Sequence, residues 1–222
     1  MSKTAEERIT QSRVRLLLTK PFFGQLAVRL KIEDASSYLP TAATDGRRFM
    51  FNRKFVDSLN DEMLDFLVGH EVLHCVFDHM QARGDRKPQL FNAAADYNIN
   101  MTLVEQNIGK PITEDKLEGG KICLDWKYQG WNSYEIYDDL LKNQKEAKGM
   151  DVHLDEMQPG DDETESAGAG AEMSEEEKKA LADEIKQATI QAAQAAGEGV
   201  PDVIKRMISE LVAPKMDWRD IL

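Results

Sequence analysis

Leu67, Val68, Gly69, His70, Glu71, Val72, Leu73, His74, Cys75 and Val76 follow one another without a break, and this stretch constrains the fold more tightly than any other. His70, Glu71 and His74 make up His-Glu-x-x-His, and the residues around them are uncharged. Such a run reads as a buried helix. At ~100° per residue, positions four apart share a face. The imidazoles of His70 and His74 therefore converge, which is a half-site for zinc. Glu71 comes one residue later, so its carboxylate projects beside the ion and can serve as general base toward a water attacking a carbonyl. The competing reading is a core helix whose histidines bond backbone carbonyls. We read the pattern as a zinc site, because three polar groups on a buried helix need a reason to be there.

A third protein ligand must complete such a site while one position stays open for water. One candidate is His79. On a continuous helix it would point ~180° away from His70, and no glycine between His74 and His79 breaks the helix. The other candidate is Asp96, in the run Phe91-Asn-Ala-Ala-Ala-Asp96-Tyr-Asn-Ile-Asn100 of a second helix expected from about Gln89 to Glu105. Its alanines permit close approach to the first helix, and a carboxylate oxygen is an acceptable zinc ligand. Asp96 is the preferred choice, with His79 expected to orient a ligand or a neighbouring loop.

Around this pair the chain reads as follows. Thr4 to Thr19 suggests a first helix, stopped or bent at Pro21. Leu26 to Ile32 alternates as a half-buried strand would, and Thr41 to Asn52 suggests two short strands around an Asp45-Gly46 turn. An edge strand of this small sheet could hold a peptide in extended form. The metal helix is expected to run unbroken from Phe55 to Met80 and to end in the polar loop 83–88. Ile108 to Gly130 reads as loop with a short strand at Ile122-Cys123-Leu124. Trp126, Tyr128 and Trp131 either wall a cleft or pin that loop to the core, and the phenols of Tyr97 and Tyr128 are candidate oxyanion donors. Asn132-Ser-Tyr-Glu135 caps a helix through Leu141.

These residues resemble a family. His70-Glu-Val-Leu-His74 through His79, Asn92 through Asn100, Thr41-Ala-Ala-Thr-Asp45-Gly46-Arg47 and Gly130-Trp-Asn-Ser-Tyr-Glu-Ile-Tyr137 are similar to the bacterial and phage "putative metallopeptidase domain" family, with Trp218 to Leu222 as weaker support. The resemblance implies a zincin-like fold and peptidase activity. It also implies a place before a von Willebrand factor A-like domain and association with a MoxR-type ATPase. In gluzincins, a related group, a ligand glutamate stands four residues before an orienting aspartate. That register would put Asn92 at the ligand position, leave Asp96 to orient a histidine, and weaken the site.

The formal charge of −12 disfavours a nucleic-acid or anionic-membrane partner. The two cysteines, Cys75 and Cys123, fit a reducing compartment, and Cys75 reads as core. With no signal peptide and no membrane-spanning run, a cytoplasmic location is expected. From Lys148 the chain turns acidic, and 146–173 reads as a flexible linker or loop in which His153 has no partner at ligand spacing. Ser174-Glu-Glu-Glu177 then caps an alanine-rich helix to about Ala196, and Pro201 opens another over Asp202 to Val212.

The expectation is thus an α+β, mainly helical, zincin-like fold with a small N-terminal sheet beside the metal helix. Residues 1–145 form the metallopeptidase domain and 174–222 a C-terminal helical segment. His70, His74 and Asp96 hold Zn2+, Glu71 is general base, and the substrate is a peptide or protein. The alternative function is a zinc-binding adaptor of weak or no activity in an ATPase assembly.

Overall fold

The computed structural model describes residues 3–117, 121–143 and 173–212. Helix α1, Ala5–Thr19, starts at a capping box in which Thr4 and Glu7 satisfy each other's backbone N–H groups. Pro21 then opens a second helix, α2, Pro21–Ala27. A Cβ on Gly24 would lie 2.3 Å from the Leu17 backbone nitrogen, so the two helices cross with backbones in contact. Of the strand expected from Leu26 to Ile32, only Lys31 and Ile32 are strand; Leu26 and Ala27 end α2 and 28–30 turn the chain. The buried set is Phe22, Phe23, Leu26, Ala27 and Leu30, a helical spacing, whereas Val28, which the alternation needed inside, is exposed.

Three strands form the sheet: β1, Lys31–Asp34; β2, Ala42–Thr44; and β3, Arg48–Phe51. Their order is β1-β3-β2. β1 runs parallel to β3 with Lys31 opposite Arg48, and β2 runs antiparallel with Ala43 opposite Met50. The expected turn joins β2 to β3. Asp45 Oδ1 accepts from the backbone N–H groups of Arg47 (2.9 Å) and Arg48 (2.7 Å), while Gly46 takes a φ of 84°. β2 is an edge strand, and all three of its residues are buried.

The single helix expected over Phe55 to Met80 is three. α3 spans Arg53–Ser58, α4 spans Asp61–Val76, and α5 spans His79–Ala82. Asn60 restarts the helix at α4, its side chain accepting from the Met63 N–H at 2.9 Å. Past Val76, Asp78 adopts a left-handed φ of 54° and turns the chain. Helix α6, Pro88–Glu105, follows with proline in its first turn, close to the expected span. It packs against α4 where Gly69 leaves room: a Cβ there would meet Leu103 Cδ2 at 2.9 Å and Ile108 Cγ2 at 3.0 Å.

Residues 122–124 form no strand; the Cys123 carbonyl accepts instead from Asn100 Nδ2 at 3.0 Å. Helix α7, Ser133–Lys142, begins at the expected Asn132/Glu135 capping box. Helix α8, Glu175–Ala196, begins at the Ser174/Glu177 box, and α9 covers Asp202–Val212. Ala188 and Ala192 of α8 and Ile204 of α9 belong to the same core cluster as Phe22, Leu64 and Val72. The acidic stretch expected over 146–173 lies outside the described residues except for Met173, as do His153 and Trp218 to Leu222. The architecture is α+β and mainly helical, with its small sheet beside α4.

Candidate metal centre

Helices α4 and α6 bring His70, His74 and Asp96 together. His70 Nε2 and His74 Nε2 are 2.9 Å apart, and Asp96 Oδ1 is 3.4 Å from each. Bonds of 2.0–2.1 Å in a tetrahedral zinc site imply ligand–ligand separations of ~3.3 Å, so the triangle has the size such an ion requires. Among the described residues this is the one cluster of three or more His, Cys, Asp or Glu side chains placed to share a metal ion. It is also deeply buried: His70, Glu71 and Asp96 are 0% exposed and His74 2%. Two imidazole nitrogens and a carboxylate oxygen form a donor set that suits a divalent transition ion.

The neighbours of the triangle turn both Nε2 atoms toward its centre. Asn100 Nδ2 donates to the Cys123 carbonyl, which leaves Asn100 Oδ1 to accept from His70 Nδ1–H at 2.9 Å. With its proton on Nδ1, His70 presents a lone pair at Nε2. On the other side, His74 Nδ1 lies 3.3 Å from His79 Nδ1. The left-handed Asp78 breaks the helix without a glycine and makes this contact possible. His79 therefore does not face away from the site but touches one of its histidines. The gluzincin register also falls differently. Asp96 is the carboxylate beside the imidazoles, and the residue four positions later that bonds a histidine is Asn100.

Sequence reasoning missed Asn100 and Ser133. Asn100 was legible in principle, one helical turn beyond Asp96 on the same face. Ser133, whose Oγ lies 2.8 Å from His79 Nε2, carried no signal because it is 54 residues away in the chain.

The aromatic residues of the 122–131 loop pin it to the core. Tyr128 is buried, donates to Asp139 Oδ2 at 2.8 Å, and stacks edge-on with Tyr97 at 5.0 Å. Burial and the Asp139 carboxylate push the Tyr128 phenol far up, and burial pushes Tyr97 up to about 12. The Tyr128 hydroxyl, a candidate oxyanion donor, is thus committed to α7. Trp126, 61% exposed, is not packed into the core as Tyr128 is. Cys75 is core as expected: its thiol donates to the Glu71 carbonyl at 3.3 Å and lies 3.4 Å from Thr44 Oγ1 of β2. Burial pushes that thiol up to about 12.

Fold and site together define a mainly helical α+β protein with a buried His–His–Asp centre between two packed helices. The chain belongs to the family described as "Putative metallopeptidase domain", whose profile matches residues 4–222. That name points to metal-dependent peptide hydrolysis as the family's activity. No curated protein and no solved structure matches the chain. Among the described residues, no helix is long and apolar enough to cross a membrane.

Proposed function

We propose that this chain is a zinc-dependent peptidase in which His70, His74 and Asp96 hold the ion and Glu71 is the general base. The observation that carries the proposal is the triangle of Nε2, Nε2 and Oδ1 atoms at 2.9, 3.4 and 3.4 Å, on the helix that also bears Glu71. Zinc is favoured by two imidazoles with one carboxylate, a ligand set that leaves one of four positions open. When bound, the ion supplies Lewis acidity toward water and toward a carbonyl oxygen.

The chain's own groups do the rest. Asn100 Oδ1 holds the His70 imidazole in orientation. Glu71 takes a proton from the water whose oxygen attacks the peptide carbonyl carbon, then returns it to the amide nitrogen as the C–N bond breaks. The products are a carboxylate and an amine. The edge strand β2 lies beside α4, with Thr44 touching Cys75, but its burial leaves no open edge for an extended peptide.

Complete burial of Glu71 favours a second reading, in which the ion is structural and the domain is an adaptor. The family resemblance supplies the partner for either reading, a MoxR-type ATPase, and co-purification of the two tests that assignment. Peptidase and adaptor are separated by a peptide-library digest read by mass spectrometry. A peptidase gives cleavage that stops after treatment with a chelator and returns with added zinc. An adaptor binds zinc and cleaves nothing.

A further inference from the structure

The line of polar groups leading from the centre to α7 has no part in the reaction as derived. His79 Nδ1 stands 3.3 Å from His74 Nδ1, and His79 Nε2 stands 2.8 Å from Ser133 Oγ. His79 is 5% exposed and Ser133 6%. We propose that His79, anchored by Ser133, is a positioning residue that holds His74 in the tautomer and ring orientation a divalent cation requires at Nε2. This inference rests on the metal reading of the centre.

An imidazole that binds a cation through Nε2 carries its proton on Nδ1, and in a buried site that N–H needs an acceptor. His79 Nδ1 is that acceptor. It accepts only when the His79 proton is on Nε2, and that N–H then donates to Ser133 Oγ. Ser133 Oγ can accept from that N–H and so anchors the ring in the one tautomer of His79 whose Nδ1 accepts from His74. Backbone geometry supports the same conclusion. A continuous helix would set His79 ~140° around the axis from His74. The left-handed Asp78 bends the chain so that the two rings meet edge-on, with centroids 5.3 Å apart. Phe77 and Phe91, at 5.5 and 6.1 Å, pack against the His79 ring and hold it there.

The test measures zinc affinity of the whole chain by competition with a chromophoric chelator, alongside apo-state circular dichroism. His79→Leu, which keeps bulk and removes the acceptor, is expected to weaken zinc binding ~10- to 100-fold. His79→Asn, whose Oδ1 can stand where Nδ1 stood, is expected to keep most of the affinity. Ser133→Ala weakens binding by a smaller factor and adds nothing on top of His79→Leu, because both act through one line of bonds. In the zinc-loaded wild type, imidazole 15N spectra should show His79 protonated at Nε2 alone. Wild-type affinity in a folded His79→Leu chain, additive losses in the double variant, or a His79 proton on Nδ1 would each overturn the proposal. If His79→Leu does not fold, Ser133→Ala decides: unchanged affinity refutes the relay. A wild-type chain that takes up no zinc defeats the metal reading and the relay together. Zinc uptake with indifferent variants defeats the relay alone.

Discussion

Asn100 Oδ1 accepts from His70 Nδ1 at 2.9 Å across the α4–α6 contact, while the same amide's Nδ2 holds the Cys123 carbonyl at 3.0 Å. One side chain therefore sets the ring orientation of a proposed ligand and ties it to the loop before α7. Replacing a partner of this kind usually costs ~10- to 100-fold in metal affinity. Asn100→Leu is expected to fall in that range in a chelator competition assay, and Asn100→Asp, which keeps an acceptor toward His70, to lose less. Equal affinities for the wild type and Asn100→Leu would refute the role.

Asp96 and His79 are separated by the same assay. Asp96→Ala removes an atom 3.4 Å from both imidazole nitrogens, whereas His79→Ala removes only a support. Elemental analysis after gel filtration should find far less zinc in Asp96→Ala than in His79→Ala. The reverse order would make His79 the third ligand.

Much of this site could be read from the chain because its signals are local. His70, Glu71 and His74 sit within one and a half turns of helix, and Asp96 stood out as the charged residue on an alanine-rich face. What escaped the reading depends on contacts between distant segments or on rare backbone states. Asp78 adopts a left-handed conformation that more often marks glycine, so the sequence alone predicts a helix that runs on and a His79 that faces away. Leu26 to Ile32 alternates in polarity, yet helix packing against α1 through Gly24 overrides that pattern. Ile122 to Leu124 is apolar enough for a strand, but its central carbonyl is taken by Asn100.

Cys75 should be chemically silent in the folded chain. Burial pushes its thiol from 9.0 up to about 12, so little thiolate forms near neutral pH. Reaction with a disulfide reagent is expected only after urea unfolds the chain. The same shift has a sign for stability. The folded state keeps its proton where the unfolded state has lost it, so the contribution is complete below pH 9 and is lost as pH rises toward 12. Rapid labelling of native Cys75 would contradict the burial.

Arg13 carries a cost that substitution should relieve. Its Nε and Nη2 make no hydrogen bond, its guanidinium sits 5.9 Å from the Phe49 ring centroid, and burial pulls its pKa down to about 10. A buried cation without a hydrogen-bonded partner opposes folding. Arg13→Met is therefore expected to raise stability by about 1 kcal/mol, read as a higher urea midpoint with an unchanged slope. A lower midpoint would show that the guanidinium contributes more than its burial costs.

Glu71→Gln tests the central claim most directly. It keeps the shape of the side chain and removes the base. Zinc content and peptide cleavage are measured together on the wild type and the variant. The account predicts equal zinc in the two proteins, cleavage by the wild type, and cleavage by the variant lowered by ~100-fold or more, the contribution expected of a positioned general base. Equal cleavage by both proteins would contradict it.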